Sequence, residues 1–287
     1  MTIEAKVIED SISEAGKRIV TLQVKFHRFI LPEFNTHRVF SRNFSSSRAI
    51  PTKTLLKQVA EEPAMPVHWG KNQPGMQAAE ELDDLTKQAV QASWLESAKE
   101  ASLRASLLAS MGAHKQIVNR VIEPFLWAHG VVTSTEWDNW FELRAHEDAQ
   151  PEIHELALCM RNAMDASTPR LLKEGEWHLP YITEWERASR EYEFLCKISA
   201  ARCCRVSYLK HDGTSPDLTD DLNLFDRLAG SVPLHASPLE HQATPDDYIY
   251  SDGGYTKSGG YKYASKHGNF KGWIQHRKIW EMVMYGK

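Results

Sequence analysis

The chain has 287 residues, of which 42% are hydrophobic and 25% charged, so it can bury the core of one large domain or two and has a globular composition. Its formal net charge of −4 argues against a protein that coats nucleic acid. A membrane-spanning helix needs about eighteen consecutive apolar residues, and no stretch of the sequence approaches that length. Because the N-terminal residues lack a signal-peptide core and the four cysteines follow neither a disulfide nor a zinc spacing, we expect a cytoplasmic protein with no membrane anchor and no metal.

The first elements of the chain predict a β-hairpin. Residues 6–12 and 19–31 are rich in strand-forming residues, and the connection between them ends in Gly16, which is typical of turns. Pro32 cannot donate to a strand ladder, which favours a loop after the second strand.

Most of the remaining chain predicts helices. Helical spacing or composition marks residues 52–59, 76–111, 116–126, 186–201 and 217–228, and a further segment that begins near Pro151. Residues 131–144 start as a strand and continue into an aromatic helix. Residues 248–267 are rich in Gly, Tyr, Ser and Lys and predict a mobile surface loop or lid. Residues 269–285 form an aromatic and basic amphipathic segment.

Residues 36–51, THRVFSRNFSSSRAIP, concentrate groups that bind phosphate. The guanidinium groups of Arg38, Arg42 and Arg48 can bind phosphate in bidentate fashion and stay charged at any working pH. Serine hydroxyls and backbone N–H groups add neutral donors. This composition is also typical of a solvated loop. The position of the stretch directly after an apolar strand favours a site for a phosphorylated small molecule.

Residues 234–245, LHASPLEHQATP, crowd two histidines, a serine and a glutamate around a proline turn. Metal binding would need a third good ligand at helical spacing, and Pro238 argues against one continuous helix. We therefore expect no metal ion at this turn.

Three separate stretches resemble the flavin-dependent thymidylate synthases. The first, THRVFSRNFSSSRAIP, is similar to that family's signature, and the match falls on His37, Arg38, Ser46 and Arg48, with Ser41 and Asn43 also in register. The second comprises Arg120, Pro124 and NWFELRAHEDAQPEI, which places Asn139, Arg144, Ala149, Gln150 and Glu152. The third comprises RVSY at 205–208 and HASPLEH at 235–241, which resembles the family's flavin motif.

The order of these stretches differs from that in the family, in which the RVSY and HASPLEH elements precede the His-Arg signature. The resemblance therefore implies a circular permutation, which is feasible if the family's chain termini lie close together at the surface. For the fold we expect an α+β class, with a largely antiparallel sheet packed against long helices. We expect one catalytic domain over residues 1–287, with a helical insertion at 53–112 and a mobile loop at 248–267.

The resemblance also implies roles for individual residues. Family positions that bind the nucleotide correspond to Arg38, Ser46, Ser47, Arg48, Arg120 and Arg144, and Glu33 stands where a glutamine is expected. Family positions around the flavin correspond to His37, Asn139, Ser207, His235, Ser237 and Glu240. Arg144, beside the pyrimidine ring, would act in catalysis by stabilising charge on a carbonyl oxygen.

The implied reaction is the reductive methylation of dUMP to dTMP. Methylenetetrahydrofolate would donate the carbon, FAD would carry hydride from NADPH, and no cysteine nucleophile would be needed. The family builds its site between the chains of a homotetramer. We therefore expect a homo-oligomer, with a tetramer as the implied state.

The chain departs from the family pattern at four places. Thr36 replaces an arginine, Glu33 a glutamine, Phe44 a glutamate, and Thr-Ser-Thr at 133–135 an Asn-x-Arg. Because Glu33 could accept a hydrogen bond from a cytosine amino group, the alternative is a folate-dependent methylase or hydroxymethylase of dUMP or dCMP. A second alternative is a non-catalytic descendant that binds RNA or nucleotides, because the C-terminal segment is basic and aromatic.

Overall fold

A mixed five-stranded sheet forms the centre of the fold in the computed structural model, which describes residues 3–206, 217–250 and 259–286. Its strands are β1 (Glu4–Ser13), β2 (Arg18–His27), β3 (Ser41–Phe44), β4 (Trp127–Ser134) and β5 (Arg170–Leu172). They lie in the order β3-β4-β2-β1-β5. The β1–β5 pairing is parallel and the other three are antiparallel. The predicted α+β class is therefore confirmed, and the parallel edge was not predicted.

Helices surround this sheet. Those within the described residues are α1 (Leu31–Phe34), α2 (Thr52–Glu61), α3 (Asp84–Ser110), α4 (Lys115–Val118), α5 (Asp138–Arg144), α6 (Pro151–Asp165), α7 (Glu184–Ser189), α8 (Tyr192–Arg205), α9 (Leu218–Ala229) and α10 (His276–Tyr285). None of these described helices is both long and apolar enough to cross a membrane.

The predicted hairpin is formed by β1 and β2. The Gly16 N–H donates to the Ser13 carbonyl at 2.9 Å, and Gly16 has a φ of +73°, which glycine adopts without a Cβ clash. The second strand is shorter than predicted. It ends at His27, because a 3-10 turn over Arg28–Ile30 directs the chain away from the sheet.

One face of the sheet packs against α1, α5 and α6. Val20, Leu22, Val24 and Phe26 are buried there, because alternate residues of a strand point to the same face. The other face is covered around Val131 by the segment before α7 and by the end of α8. The helix predicted over residues 186–201 is divided in two, since α7 ends at Ser189 and α8 begins at Tyr192.

The region at 53–112 adds a smaller core beside the sheet, in which α2 and α3 pack against α4 and the following 3-10 segment. The helix predicted over residues 76–111 begins only at Asp84, because the Asp83 side chain accepts the Thr86 N–H at 3.0 Å and caps its N-terminus. Residues 116–126 are not one helix. The short α4 is followed by 3-10 turns over Asn119–Phe125, which contain Pro124.

Two small antiparallel sheets complete the described fold. Strand β6 (Ala243–Pro245) pairs with β9 (Trp273–Gln275), which leads directly into α10. The loop predicted at residues 248–267 contains regular structure, since strand β7 (Tyr248–Tyr250) pairs with β8 (Gly259–Tyr261) and a 3-10 turn follows at Ala264–Lys266. Residues 251–258 of that predicted loop lie outside the described residues.

Candidate functional site

The second residue of the signature stretch, residues 36–51, is a buried histidine. His37 follows α1, and its ring lies edge-on to Trp140 of α5 at 4.7 Å and stacks on Phe40 at 5.9 Å. Phe34 of α1 packs on the same tryptophan at 5.1 Å. The aromatic core thus fixes the orientation of the imidazole, while the next residue, Arg38, remains exposed.

His37 accepts a hydrogen bond from a predicted catalytic residue. Arg144, at the end of α5, donates from Nε to His37 Nε2 at 3.0 Å. Burial, with the positive charges of Arg144 and Arg42, lowers the pKa of His37 to about 4. The imidazole is therefore neutral at physiological pH. Because its Nε2 accepts, the ring proton is assigned to Nδ1.

A cavity of about 560 Å³ is lined in part by Phe40, whose ring stacks on His37, but neither His37 nor Arg144 lines it. Its lining residues are Arg38, Phe40, Arg42, Glu240, Gly268, Asn269, Gln275, Arg277 and Lys278. Arg38 comes from the signature stretch, and Glu240 comes from the 3-10 turn Ser237–Glu240 of the HASPLEH element. The cavity therefore brings together two of the three stretches that carry the resemblance, although they lie at opposite ends of the chain.

Cationic side chains dominate the cavity. Arg277 pairs with Glu240 and, at 2.7 Å, with Glu281, and Lys278 also pairs with Glu281 at 3.0 Å. Arg42 instead donates to neutral groups, among them the Asn35 side chain at 2.7 Å.

Arg38 makes no hydrogen bond or ion pair with any described residue. Neither Arg38 nor Arg42 forms an ion pair with a described carboxylate, although the charge of Glu240 acts on Arg42, and both can bind an anionic ligand.

Gln275 joins the two sides of the cavity. Its buried Nε2 lies 3.2 Å from Ser41 Oγ on β3, 2.9 Å from Asn269 Oδ1 and 3.1 Å from the Glu240 carbonyl. Ser41 in turn donates to Asn269 at 3.1 Å. This network holds the signature stretch against the HASPLEH turn. Sequence reasoning did not select Gln275 or Asn269, because neither belongs to a local motif.

A buried chain of hydrogen bonds anchors the last residue of the HASPLEH element. His241 Nδ1 lies 2.8 Å from Thr133 Oγ1, which lies 2.6 Å from Thr21 Oγ1. His178 continues the chain, with Nε2 2.8 Å from Thr21 and Nδ1 2.9 Å from Ser11. Burial lowers the pKa of His241 to about 3, so it is neutral. Thr133, one of the departures from the family pattern, is therefore a structural partner of His241.

Ser47 and Arg120, which the resemblance predicts to bind the nucleotide, both contact the carboxylate of Glu123. Glu123 Oε1 accepts from Ser47 Oγ at 2.6 Å, from Arg120 at 2.7 Å and from Arg28 Nε at 3.0 Å. Although burial opposes it, the Ser47 hydrogen bond and the charges of Arg28 and Arg120 hold the pKa of Glu123 below its usual value. The Glu123 carboxylate thus accepts from three side chains that could otherwise bind an anion. The sequence alone did not connect Glu123 with these side chains.

The remaining predicted site residues are not drawn into the cavity. Glu33, Arg48, Asn139, His235 and Ser237 are exposed, and Ser46 is half-buried. None of these six is among the described residues that line the cavity. Ser207 lies outside the described residues. Across residues 3–206, 217–250 and 259–286, His, Cys, Asp and Glu side chains form no group of three that could hold a metal ion.

Phe44, another departure from the family pattern, is half-buried and packs against the core. Its ring lies 5.5 Å from that of Phe26 and 5.4 Å from that of Phe34, both edge-on. A Cβ at Gly130 of β4 would lie 2.1 Å from the Phe44 ring, so only glycine allows this packing. Where the family has a glutamate, this chain therefore has an apolar contact between β3 and β4.

No family model and no curated protein matches the chain. Among solved structures, the chain is similar to the UMP/dUMP methylase PolB from Streptomyces cacaoi. The structure of PolB bound with 5-Br UMP has 16% sequence identity and a TM-score of 0.48, and the match covers 57% of this chain and 88% of that one. The structure bound with 5-Br dUMP also has 16% identity, with a TM-score of 0.46 and coverage of 57% and 90%.

Proposed function

We propose that this protein transfers a one-carbon unit from methylenetetrahydrofolate to C5 of a pyrimidine nucleotide, with dUMP as the first substrate to test. The observation that carries this proposal is the cavity shared by Arg38 and Glu240. Two stretches that resemble separate parts of the flavin-dependent thymidylate synthases meet there. Their meeting supports a common site.

The charges of the cavity support a ligand that bears phosphate. Its charged lining side chains are four cationic groups and the single carboxylate of Glu240. Guanidinium groups bind phosphate through paired N–H donors, and Arg38 and Arg42 make no ion pair with a described carboxylate. A nucleotide monophosphate or a dinucleotide diphosphate would supply the missing negative charge.

The His37–Arg144 pair supports a role beside the pyrimidine ring. Arg144 uses Nε to donate to His37, which leaves its two terminal nitrogens to bind a substrate oxygen. A guanidinium fixed in this way could stabilise negative charge on a pyrimidine carbonyl oxygen during attack by C5. In this proposal Arg144 contacts the substrate and His37 is a positioning residue.

The donors also fit the phosphate-bearing part of a flavin dinucleotide. Arg38, Arg42 and Arg277 would hold its diphosphate, and FAD would supply the hydride that completes a methyl group. No described cysteine lines the cavity, and burial raises the pKa of the Cys196 and Cys203 thiols. A route that needs no thiolate nucleophile is consistent with these thiols.

An altered base or product is the second candidate. The observation that favours it is Phe44, which replaces a polar family residue and packs against the core. The loss of that carboxylate changes the polar groups available near the nucleotide. Methylation or hydroxymethylation of dCMP is therefore the alternative to dTMP formation.

The test combines binding with product mass. Purified protein is mixed with FAD and its absorbance spectrum recorded, and dUMP, UMP and dCMP are each incubated with it, methylenetetrahydrofolate and NADPH. The proposal expects bound flavin and a nucleotide product heavier by one methyl group. A product heavier by one hydroxymethyl group, or made from dCMP, would favour the alternative. Salt-sensitive binding of single-stranded RNA without binding of flavin or nucleotide would overturn both.

A further inference from the structure

Gln275 places a buried amide in the wall of the cavity. The residue is only 1% exposed, yet it lines the cavity. Its Nε2 lies 3.1 Å from the Glu240 carbonyl oxygen, which can only accept a hydrogen bond. The amide nitrogen must therefore be the atom on this side, because a flipped amide would place two acceptors against each other. This contact also assigns the other amide atom as the oxygen, Oε1.

The amide oxygen of Gln275 has no partner. The three side-chain contacts of the residue, to Ser41, Asn269 and Glu240, all involve Nε2, and Oε1 accepts a hydrogen bond from no described residue. Oε1 is not fully enclosed, in contrast to Gln242 Oε1, which is enclosed and also lacks a described partner. Buried polar groups are normally hydrogen-bonded. An unpaired acceptor on a buried side chain of the cavity wall is therefore available to a ligand.

Gly268 determines where this oxygen lies. Gly268 also lines the cavity, and a Cβ at its position would lie 2.3 Å from Gln275 Oε1. Its φ of +62° is in the left-handed region, which glycine adopts without a Cβ clash. Glycine thus allows the backbone to contact the amide oxygen closely. Oε1 is held beside residue 268 at the wall of the cavity.

Unused donors lie near this unpaired acceptor. The backbone N–H groups of Gly268 and Asn269 donate to no described residue, and both residues line the cavity together with Arg38. An acceptor with donors around it complements a ring in which an N–H group stands between two carbonyl groups. Uracil and the isoalloxazine ring of flavins share this imide group. A cytosine ring has a lone pair at the same position, which would repel the amide oxygen.

We propose that Gln275 Oε1 accepts the imide N–H of the ligand's ring, while the cationic side chains of the cavity bind its phosphate. Gln275 is then a specificity residue that contacts the ligand, and Ser41 and Asn269 are positioning residues that hold its amide. The inference rests on the proposed function for the identity of the ligand. A ligand without the N–H would leave the acceptor unpaired, so we expect it to bind about 10- to 100-fold more weakly.

The first test compares ligands that differ only at the imide nitrogen. Isothermal titration of the full chain measures the binding of dUMP against N3-methyl-dUMP, and of FAD against N3-methyl-FAD. We expect methylation to weaken binding about 10- to 100-fold in the pair whose ring occupies the cavity. In Gln275→Ala, which removes the acceptor and leaves room for the methyl group, the ratio of affinities should fall to near one. Ser41→Ala alters the same network but keeps Oε1, so this matched control should keep the wild-type ratio.

The second test displaces the oxygen without removing it. Gly268→Ala would place a Cβ against Oε1 and should lower the ratio as Gln275→Ala does. Gly175→Ala is the matched control, because Gly175 also has a positive φ, of +84°, but no described atom lies within 4 Å of its Cβ position. This control should keep the wild-type ratio. Circular dichroism checks that each variant is folded.

The outcomes separate this assignment from the proposed function. If a parent ligand binds and methylation costs no affinity, or if the cost persists in Gln275→Ala, the role of Gln275 is wrong and the proposed function stands. If neither dUMP nor FAD binds the folded wild type, the proposed function and this assignment both fail. If dCMP binds more tightly than dUMP and loses affinity in Gln275→Ala, the oxygen accepts from an amino group and the imide assignment is overturned.

Discussion

Arg144 and His37 form a hydrogen-bonded pair, with 3.0 Å between Arg144 Nε and His37 Nε2, that connects the end of α5 to the signature stretch. Because the pKa of His37 is lowered to about 4, its imidazole is neutral and accepts this hydrogen bond without placing a second positive charge beside the guanidinium. Trp140 packs against the histidine ring and belongs to the same helix as Arg144. The orientation of the guanidinium is therefore set by the aromatic core.

Replacing Arg144 tests this geometry. Arg144→Lys keeps a positive charge but loses both the Nε donor and the forked terminal nitrogens. We expect kcat of the proposed transfer to fall about 100- to 1,000-fold with little change in melting temperature, because the interaction is made mainly in the transition state. Arg161→Lys, at a guanidinium that stacks on Phe141, is the control and should retain activity.

His37 variants separate positioning from packing. His37→Gln keeps a hydrogen-bond acceptor for Arg144, and His37→Leu does not. We expect His37→Gln to retain more of kcat than His37→Leu at similar thermal stability. Equal losses of kcat in the two variants would contradict the positioning role.

Acid sensitivity should follow from the buried His241. Its pKa is lowered from an ordinary 6.5 to about 3 by burial, so below pH 6.5 the unfolded chain gains a proton that the native chain does not bind. Its contribution to stability is present above pH 6.5 and is lost as the pH falls toward 3. Between pH 6 and 4 the unfolding free energy of wild type should fall more steeply than that of His241→Gln, by up to about 1.4 kcal/mol per pH unit. Urea unfolding at several pH values measures both slopes, and equal slopes would contradict the assignment.

Local signals in the sequence account for much of the secondary structure. The β1–β2 hairpin follows from strand-forming runs around Gly16, and α6 begins at Pro151, as proline at a first helical turn indicates. The predictions differ from the structure at the boundaries of helices. Helix α3 begins later than predicted, because the carboxylate of Asp83 caps its N-terminus, and a break before Tyr192 separates α7 from α8.

The site was less predictable because it depends on contacts between distant segments. The resemblance selected Arg38, His37, Arg144 and Glu240 as site residues. Arg38 and Glu240 line the cavity, whereas His37 and Arg144 pair with each other and do not line it. The resemblance did not indicate that Gln275 joins Ser41 to the Glu240 carbonyl. Such pairings require the sheet order to be known, and no periodicity within one segment reveals them.

The hydroxyl of Thr133 should be needed for stability. Thr133→Val keeps the side-chain volume but removes the partner that His241 Nδ1 has at 2.8 Å, whereas Thr21 Oγ1 loses its contact at 2.6 Å but keeps His178. Unsatisfied buried groups of this kind cost about 1–3 kcal/mol, so we expect the free energy of unfolding to fall by that amount. Thr36→Val, at an exposed hydroxyl that donates to the Glu33 carbonyl, should change it by less than about 0.5 kcal/mol. A loss at Thr133 no larger than that at Thr36 would contradict the role of the buried chain.

Glu123 should compete with phosphate for Ser47 and Arg120. Its carboxylate accepts from both side chains at 2.6 and 2.7 Å, so a phosphate could use these donors only after displacing it. Glu123→Gln removes the negative charge at nearly constant shape. We therefore expect dUMP to bind about tenfold more tightly to this variant, which corresponds to about 1.4 kcal/mol, and Arg120→Gln to weaken its binding.

Deoxyuridine, which lacks the phosphate, provides the control for Glu123→Gln. If the gain comes from freed phosphate donors, isothermal titration should show it for dUMP and not for the nucleoside, and added salt should reduce it. Weaker dUMP binding in Glu123→Gln would instead mean that the carboxylate orients Arg120 toward the ligand. In that case Ser47 and Arg120 would act together with Glu123, and the competition argued here would be wrong.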